Sequence, residues 1–174
     1  MSSSLVLPHV PRETLLPAGE RVTRLEAALP SIFAAVEGET DAVALQATLA
    51  CMLWETLVQA NWCGFYRRVG EAMLAVGPYQ GTMGCLRIAF SRGVCGAAAR
   101  TGKTQLVEDV HAFPDHIACD SRSRSEVVVP VVKKGRLIAV LDIDSPSLAA
   151  FSPEEARLLE DLVARVFDRD EVVV

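Results

Sequence analysis

The five cysteines of this chain include no C-x-x-C pair, aromatic residues make up only 6% of it, and basic residues are outnumbered by acidic ones. Each shortage excludes something. Without C-x-x-C spacing the thiols fit neither a zinc ribbon nor a thioredoxin-type motif. A net charge of −5 supplies no basic face, so a nucleic-acid partner is not expected. No apolar run approaches the ~20 residues that cross a bilayer, and no membrane association is expected. Met1 to Pro11 lacks the charged start and long apolar core of a secretory signal. An odd number of cysteines cannot close into a complete disulfide framework, so a reducing, cytoplasmic setting with free or transiently bonded thiols is the expected compartment. There is no internal repeat and no low-complexity tract. What remains is a 174-residue chain with 51% apolar and 22% charged residues, the size and balance of one globular domain.

The chain changes period along its length. Residues 1–19 carry Pro8, Pro11, Pro17 and Gly19 and read as a loosely ordered extension; residues 20–174 read as a single domain. Arg21 to Val36 has helical spacing, with Leu25, Ala28, Ile32 and Phe33 near one face, and Pro30 is expected to bend or divide it. Thr40 or Asp41 offers an N-cap for a helix over Ala42 to Leu57. Cys51, inside that helix, reads as a small core or interface residue. Trp62 to Tyr66 and Ala72 to Val76 then read as a hairpin across Val69-Gly70-Glu71, and Cys85 to Ala89 as a further strand. A short helix is expected over Gly96 to Thr101, ended by Gly102, with a strand at Gln105 to Val107. Asp109 to Ser125 has no period, and polar connections of that length are usually functional. Glu126 to Val132 and Arg136 to Asp144 are the clearest strands, turning at Lys133-Lys134-Gly135, with Pro130 signalling an edge or bulge. Ser152-Pro153-Glu154-Glu155 is a capping box that opens a last amphipathic helix. Helices at both ends of a mainly antiparallel sheet make an α+β layered domain.

Three thiols stand out. Cys85 follows Gly84, Cys95 lies between Val94 and Gly96 just after Gly93, and Cys119 lies in the polar stretch His116-Ile-Ala-Cys119-Asp120-Ser121. All three segments look suited to exposing a thiol, and Cys95 precedes an expected helix start, where free backbone N–H groups favour a thiolate. Each has a blander reading as a small inert residue, so the argument rests on the three together. Two acids, Asp142 and Asp144, end an otherwise apolar strand on one face, roughly 6–7 Å apart. As caps of the Asp144-Ser145-Pro146 turn they would be unremarked. Glu126, however, starts the neighbouring strand, and a hairpin would bring it beside them. Three clustered carboxyls raise one another's proton affinity and suit an ammonium group, an acid catalyst or a metal. Trp62 and Tyr66 share a strand face and fit either a pocket wall or ordinary packing. His111, His116, Cys119 and Asp120 match no zinc spacing, and no metal site is expected.

Asn61-Trp62-x-Gly64-Phe65-Tyr66, Gly77-Pro78-Tyr79-Gln80-Gly81, Cys85-Leu86-Arg87-Ile88, Arg92-Gly93-Val94-Cys95-Gly96, Glu108-Asp109-Val110-His111, His116-Ile117-Ala118-Cys119-Asp120, Ser125-Glu126 and Leu141-Asp142-Ile143-Asp144-Ser145 together resemble the free methionine-(R)-sulfoxide reductases, which are GAF-domain enzymes. The resemblance runs from about Gly38 to the final helix. It departs at Cys63, where a small residue is usual and where an added thiol is expected near the pocket. It implies a six-stranded antiparallel sheet flanked by N-terminal and C-terminal helices, and no cofactor. It further implies Cys119 as nucleophile, Cys85 as the principal resolving cysteine and Cys95 as an alternative or auxiliary one. Trp62 and Tyr66 become pocket walls, and Glu126, Asp142 and Asp144 substrate-binding carboxylates. The implied partners are free methionine sulfoxide, a thioredoxin-type reductant and a second copy of the chain in a homodimer.

Two rivals follow from the same residues. A GAF domain can bind a small molecule without catalysis, and the cysteines would then serve a redox sensor. A metal-dependent hydrolase built on the aspartates and histidines would carry bound metal.

Overall fold

A computed structural model describes residues 7–115 and 120–174. Its elements are α1 (Ala18–Ala35), α2 (Ala42–Thr56), β1 (Trp62–Arg68), β2 (Met73–Gly81), β3 (Arg87–Ala89), α3 (Gly93–Thr101), β4 (Gln105–Val107), a 3-10 turn (Val110–Ala112), β5 (Ser125–Lys133), β6 (Arg136–Ser145) and α4 (Pro153–Phe167). The six strands form one sheet in the order β3-β2-β1-β6-β5-β4, with every adjacent pair antiparallel. The expected α+β fold, a six-stranded antiparallel sheet flanked by helices, is what forms.

Alternation along the strands divides the interior in two. Cys63 and Phe65 of β1, Val127, Val129 and Val131 of β5, and Ala139, Leu141 and Ile143 of β6 face α1, α2 and α4, and this side holds the larger core. Trp62 and Tyr66 of β1, Val128 of β5 and Val140 of β6 face α3 and the loops around it. The thiol of Cys63 therefore belongs to the helical core, contrary to the expectation of an added thiol near the pocket. A period of two on a strand sends it to the face opposite Trp62.

α2 and α4 lie on the sheet, and α1 packs across both helices. α4 forms because Ser152 accepts from the Glu155 N–H while the Glu155 carboxylate accepts from the Ser152 N–H, with proline in the first turn. Asp41 accepts from the N–H groups of Val43 and Ala44 and opens α2. Pro30 does not divide α1. It sits on the exposed face beside Glu26, whose carbonyl loses its partner there and is open to water, while Leu25, Ala28 and Ile32 are buried opposite. Pro130 lies on β5 beyond the stretch that pairs with β4, and the β5–β6 register slips between Val131 and Val132. Both an open edge and a bulge thus adjoin it, as its missing N–H requires. At the hairpin tip Lys134 and Gly135 both have positive φ, 48° and 75°, the form of two-residue turn that matches strand twist.

Cys51 is exposed on α2, which excludes the core half of the core-or-interface reading. α2 has no basic residue in its last turn, so its terminal carbonyls are satisfied from elsewhere. Arg12 donates to the carbonyls of Trp54, Leu57 and Ala60 and lies 3.5 Å over the Trp54 ring, and Arg24 donates to those of Thr56 and Glu55.

The helical layer is locked by a buried ion pair. Arg21 of α1 donates from Nε to both Glu155 oxygens at 3.2 and 3.1 Å, its Nη2 lies 3.0 Å from Oε2, and Gln59 adds a bond of 3.0 Å to the same carboxylate. Their exposures are 6% and 0%, so neither charge has water to fall back on. Removing one partner strands the other, whereas removing both leaves an apolar contact. Glu155→Ala should lose about 3–5 kcal/mol in urea denaturation, and Arg21→Met with Glu155→Leu should recover most of it. A Glu155→Ala protein as stable as the parent refutes this account.

Candidate functional site

One end of the sheet carries the chemistry. The β5–β6 register sets Glu126 opposite Asp144, and the β6–β1 register sets Asp144 opposite Trp62 and Asp142 opposite Gly64. Glu126, Asp142, Asp144, Trp62 and Tyr66 consequently point from one face. They line a small cavity, partly open to solvent, together with Gly84, Ile88, Val94, Cys95, Asp120 and Ser123 among others. The hairpin that the sequence implies is therefore what gathers the three acids. Trp62 stacks on Tyr66 at 5.4 Å and on Tyr79 at 5.2 Å, making one aromatic wall. The packing and the pocket-wall readings of Trp62 and Tyr66 both hold, since the two rings are buried and line the cavity.

Glu126 and Asp142 are buried, 6% and 5% exposed, and Asp144 is half-buried. Burial, then the Asp142 and Asp144 charges, raise the Glu126 carboxyl well above its usual range, and burial with the Asp142 charge does the same for Asp144. Burial pushes Asp142 up to about 6, moderated by hydrogen bonds from Glu126 and Cys95. The three acids therefore titrate together and retain protons that isolated carboxyls would have released, Glu126 and Asp144 with the upward push of burial and neighbouring charge, Asp142 with its rise moderated by hydrogen bonds. Asp142 Oδ1 and the Trp62 indole nitrogen are buried without a hydrogen-bond partner among the described residues. Such groups cost free energy unless something else meets them.

Cys95 departs from its expectation. It lies inside the first turn of α3 and is buried, 4% exposed, with Sγ 3.9 Å from Glu126 Oε1. Burial first, then the Asp142 and Glu126 charges, drive its thiol well up, so the helix N-terminus does not yield a thiolate. Cys95 Sγ and one oxygen each of Glu126 and Asp142 lie within 4.8 Å of one another, a set with the composition for a divalent cation and no histidine. Cys85 is half-buried, follows the cavity-lining Gly84 and is disulfide-bonded; its N–H bonds the Tyr66 hydroxyl. Cys51, Cys63 and Cys95 are free thiols. Cys119 and His116 lie outside the described residues.

Sequence reasoning gives no role to Asn61, Thr82 or Ser123, and weighs Asp120 only as a metal ligand. Asp120 Oδ2 accepts from Asn61 Nδ2 at 3.2 Å, Thr82 Oγ1 at 2.9 Å and Arg122 Nη2 at 2.8 Å, and Asn61 Nδ2 also reaches Ser123 Oγ at 3.2 Å. The Arg122 bonds hold the Asp120 carboxyl below its usual range. Asn61 and Asp120 belong to the motifs that carry the resemblance, but no periodicity reveals a contact across 59 residues.

The pH dependence of stability tests the electrostatics. A carboxyl whose folded pKa is raised binds its proton more tightly in the native state. Its favourable contribution is complete below the unfolded value and is lost as pH rises through the folded one. For Asp142 that window runs from 3.8 to about 6. Asp142→Asn should therefore be more stable than the parent at pH 7, by on the order of 1–3 kcal/mol. The difference should shrink as pH falls towards 4; urea midpoints that give a difference independent of pH contradict the assignment.

The GAF domain model matches residues 41–166. The free methionine-R-sulfoxide reductase of Escherichia coli is 44% identical over 133 residues, covering 76% of this chain and 80% of that protein. The free methionine-R-sulfoxide reductase of Saccharomyces cerevisiae is 37% identical over 145 residues, covering 79% and 81%. An X-ray structure of free methionine-R-sulfoxide reductase from Neisseria meningitidis in complex with its substrate superimposes with a TM-score of 0.81 at 41% identity, covering 92% and 93%. With the sheet, the motifs and the relatives in agreement, this chain belongs to the free methionine-R-sulfoxide reductase family of GAF-domain proteins.

Proposed function

We propose that the protein reduces free L-methionine-(R)-sulfoxide to methionine, an oxidoreductase reaction at sulfur that runs through a cysteine sulfenic acid and an intramolecular disulfide. The observation that carries this reading is the cluster of Glu126, Asp142 and Asp144 facing the Trp62–Tyr66 wall in one small cavity. The likeness to reductases of that name supports the substrate and its epimer.

In this reading the Cys119 thiolate attacks the sulfoxide sulfur. The departing oxygen needs protons, and a neutral acid kept protonated by burial, Glu126 or Asp144, supplies one. Methionine leaves, and Cys119 becomes a sulfenic acid. The Cys85 thiol condenses with it, forming the disulfide and releasing water, and a thioredoxin-type reductant reopens the bond by thiol exchange. The bonded state of Cys85 supports its redox role. Cys95, held neutral, is placed as an auxiliary thiol at the acid cluster. The charge of the cluster, with an Asp142 oxygen that has no hydrogen-bond partner among the described residues, suits the α-ammonium of a free amino acid. A peptide nitrogen is neutral and continues into chain that so small a cavity excludes. The aromatic wall receives the thioether methyl end. Cytoplasmic residence and a homodimer accompany this reading as part of the proposal.

Incubation with separated epimers, free and peptide-bound, and a dithiol tests it. Methionine should form from the free R epimer alone. Cys119→Ser should form none, and Cys85→Ser should complete a first turnover and then recycle slowly; full multiple-turnover activity in that variant refutes its resolving role. A parent protein that binds methionine sulfoxide without releasing methionine would instead be a sensor.

A further inference from the structure

We infer that the hydrogen bond from Thr82 to Asp120 is a positioning contact for disulfide formation, resting on the reaction proposed above. Thr82 lies three residues before Cys85, and Asp120 follows Cys119 directly in the chain. The bond between them, Oγ1 to Oδ2 at 2.9 Å, joins the two segments that must meet for the second half of the reaction. Neither residue is a reacting group; Asp120 lines the cavity and its charge adds to the field that raises Asp144, whereas Thr82 is not among the lining residues.

Both ends of the bond are held in place. Asp120 accepts from Asn61 Nδ2 at 3.2 Å, and its carboxylate is gripped by the backbone N–H, Nε and Nη2 of Arg122. Asn61 in turn donates its own N–H to the Asp144 carbonyl at 2.9 Å, which ties the network to the end of β6 where the acids sit. Thr82 follows Gly81, the last residue of β2, whose φ is +113°. A Cβ there would stand 2.5 Å from the Asn61 carbonyl and 3.0 Å from the Trp62 Cα. Only glycine brings the chain that close to β1, and the approach fixes where Thr82 starts. The Cys85 end has its own tether, the N–H to the Tyr66 hydroxyl. What Thr82 adds is the direct link between the segments.

The consequence is selective. Attack of the Cys119 thiolate on the sulfoxide needs Cys119 and the cavity, and Asn61 and Arg122 still hold Asp120 when Thr82 is changed. Condensation of the sulfenic acid with the Cys85 thiol forms an S–S bond, expels the sulfenic oxygen as water with the thiol proton, and needs the two segments in register. A charge-assisted hydrogen bond is strong enough to slow that step by roughly tenfold when lost.

The experiment uses the reduced full-length protein, without recycling reductant, in two arms. In the first, one equivalent of free methionine-(R)-sulfoxide is added. In the second, one equivalent of hydrogen peroxide oxidises the Cys119 thiolate to the sulfenic acid and leaves hydroxide. Methionine, dimedone-trapped sulfenic acid at Cys119 and remaining thiols are followed by quenched mass spectrometry. Thr82→Val should release methionine at the parent rate, accumulate the dimedone adduct in both arms, and form the Cys85 disulfide roughly tenfold more slowly; Thr82→Ser should restore the parent rate. Parent-like disulfide formation in Thr82→Val overturns the inference, and so does an equal slowing of methionine release and disulfide formation. A parent that makes no methionine but forms the disulfide with peroxide defeats the proposed function, while the peroxide arm still decides the role of Thr82.

Discussion

Three carboxyl groups gathered at one end of a sheet, two buried and the third half-buried, are the constraint on which the rest of the molecule depends. Like charges in a dry site cannot all be expressed, so protons are retained, and the site becomes a store of acid at neutral pH. The same field keeps the Cys95 thiol and the Tyr66 phenol neutral, since burial and the neighbouring carboxylates act together on each. A cavity so arranged favours a ligand that brings a positive charge and a proton-accepting oxygen. Free methionine sulfoxide has both.

Such a site opposes folding, and the opposite face of the sheet offsets it. There α2 and α4 cover the strands and α1 packs across both, with fully buried leucines, isoleucines and phenylalanines between the layers. The polar groups on that side are satisfied at close quarters: the Arg21–Glu155 pair, the Ser152 capping box, and the two arginines on the α2 carbonyls. The division follows from strand alternation, which sends consecutive residues such as Cys63 and Trp62, or Ile143 and Asp144, into different environments. Stability and chemistry thus occupy two faces of the same strands.

The resolving segments add a geometric demand. In the proposed reaction two thiols distant in the chain meet after the first chemical step, and the hydrogen bonds of Asn61 and Thr82 to Asp120 link segments next to those thiols. The Thr82 and Arg122 contacts are exposed, while Asn61 is buried.

Much of this is legible in the residues. The capping box at Ser152, the N-cap at Asp41, the hairpin at Lys134-Gly135 and the alternation of β5 and β6 are local signals, because hydrogen-bond geometry within a few residues decides them. That hairpin alone implies Glu126 beside Asp144, so the acid cluster is already written in the residue pattern of two strands and a turn. Burial is not. By its place in the chain Cys95 resembles a thiol activated by a helix start, and the carboxylates of β5 and β6, far along the chain, reverse that. Pro30 has the look of a break, and the tertiary position of its exposed face removes the cost. The links from Asn61 and Thr82 to Asp120 leave no trace in the pattern, since nothing local specifies them. Sequence by itself determined the elements, their order and the chemical inventory, because those depend on short-range geometry. The tertiary structure decided which groups lose water and which meet, because desolvation and Coulomb energy depend on neighbours that only folding supplies.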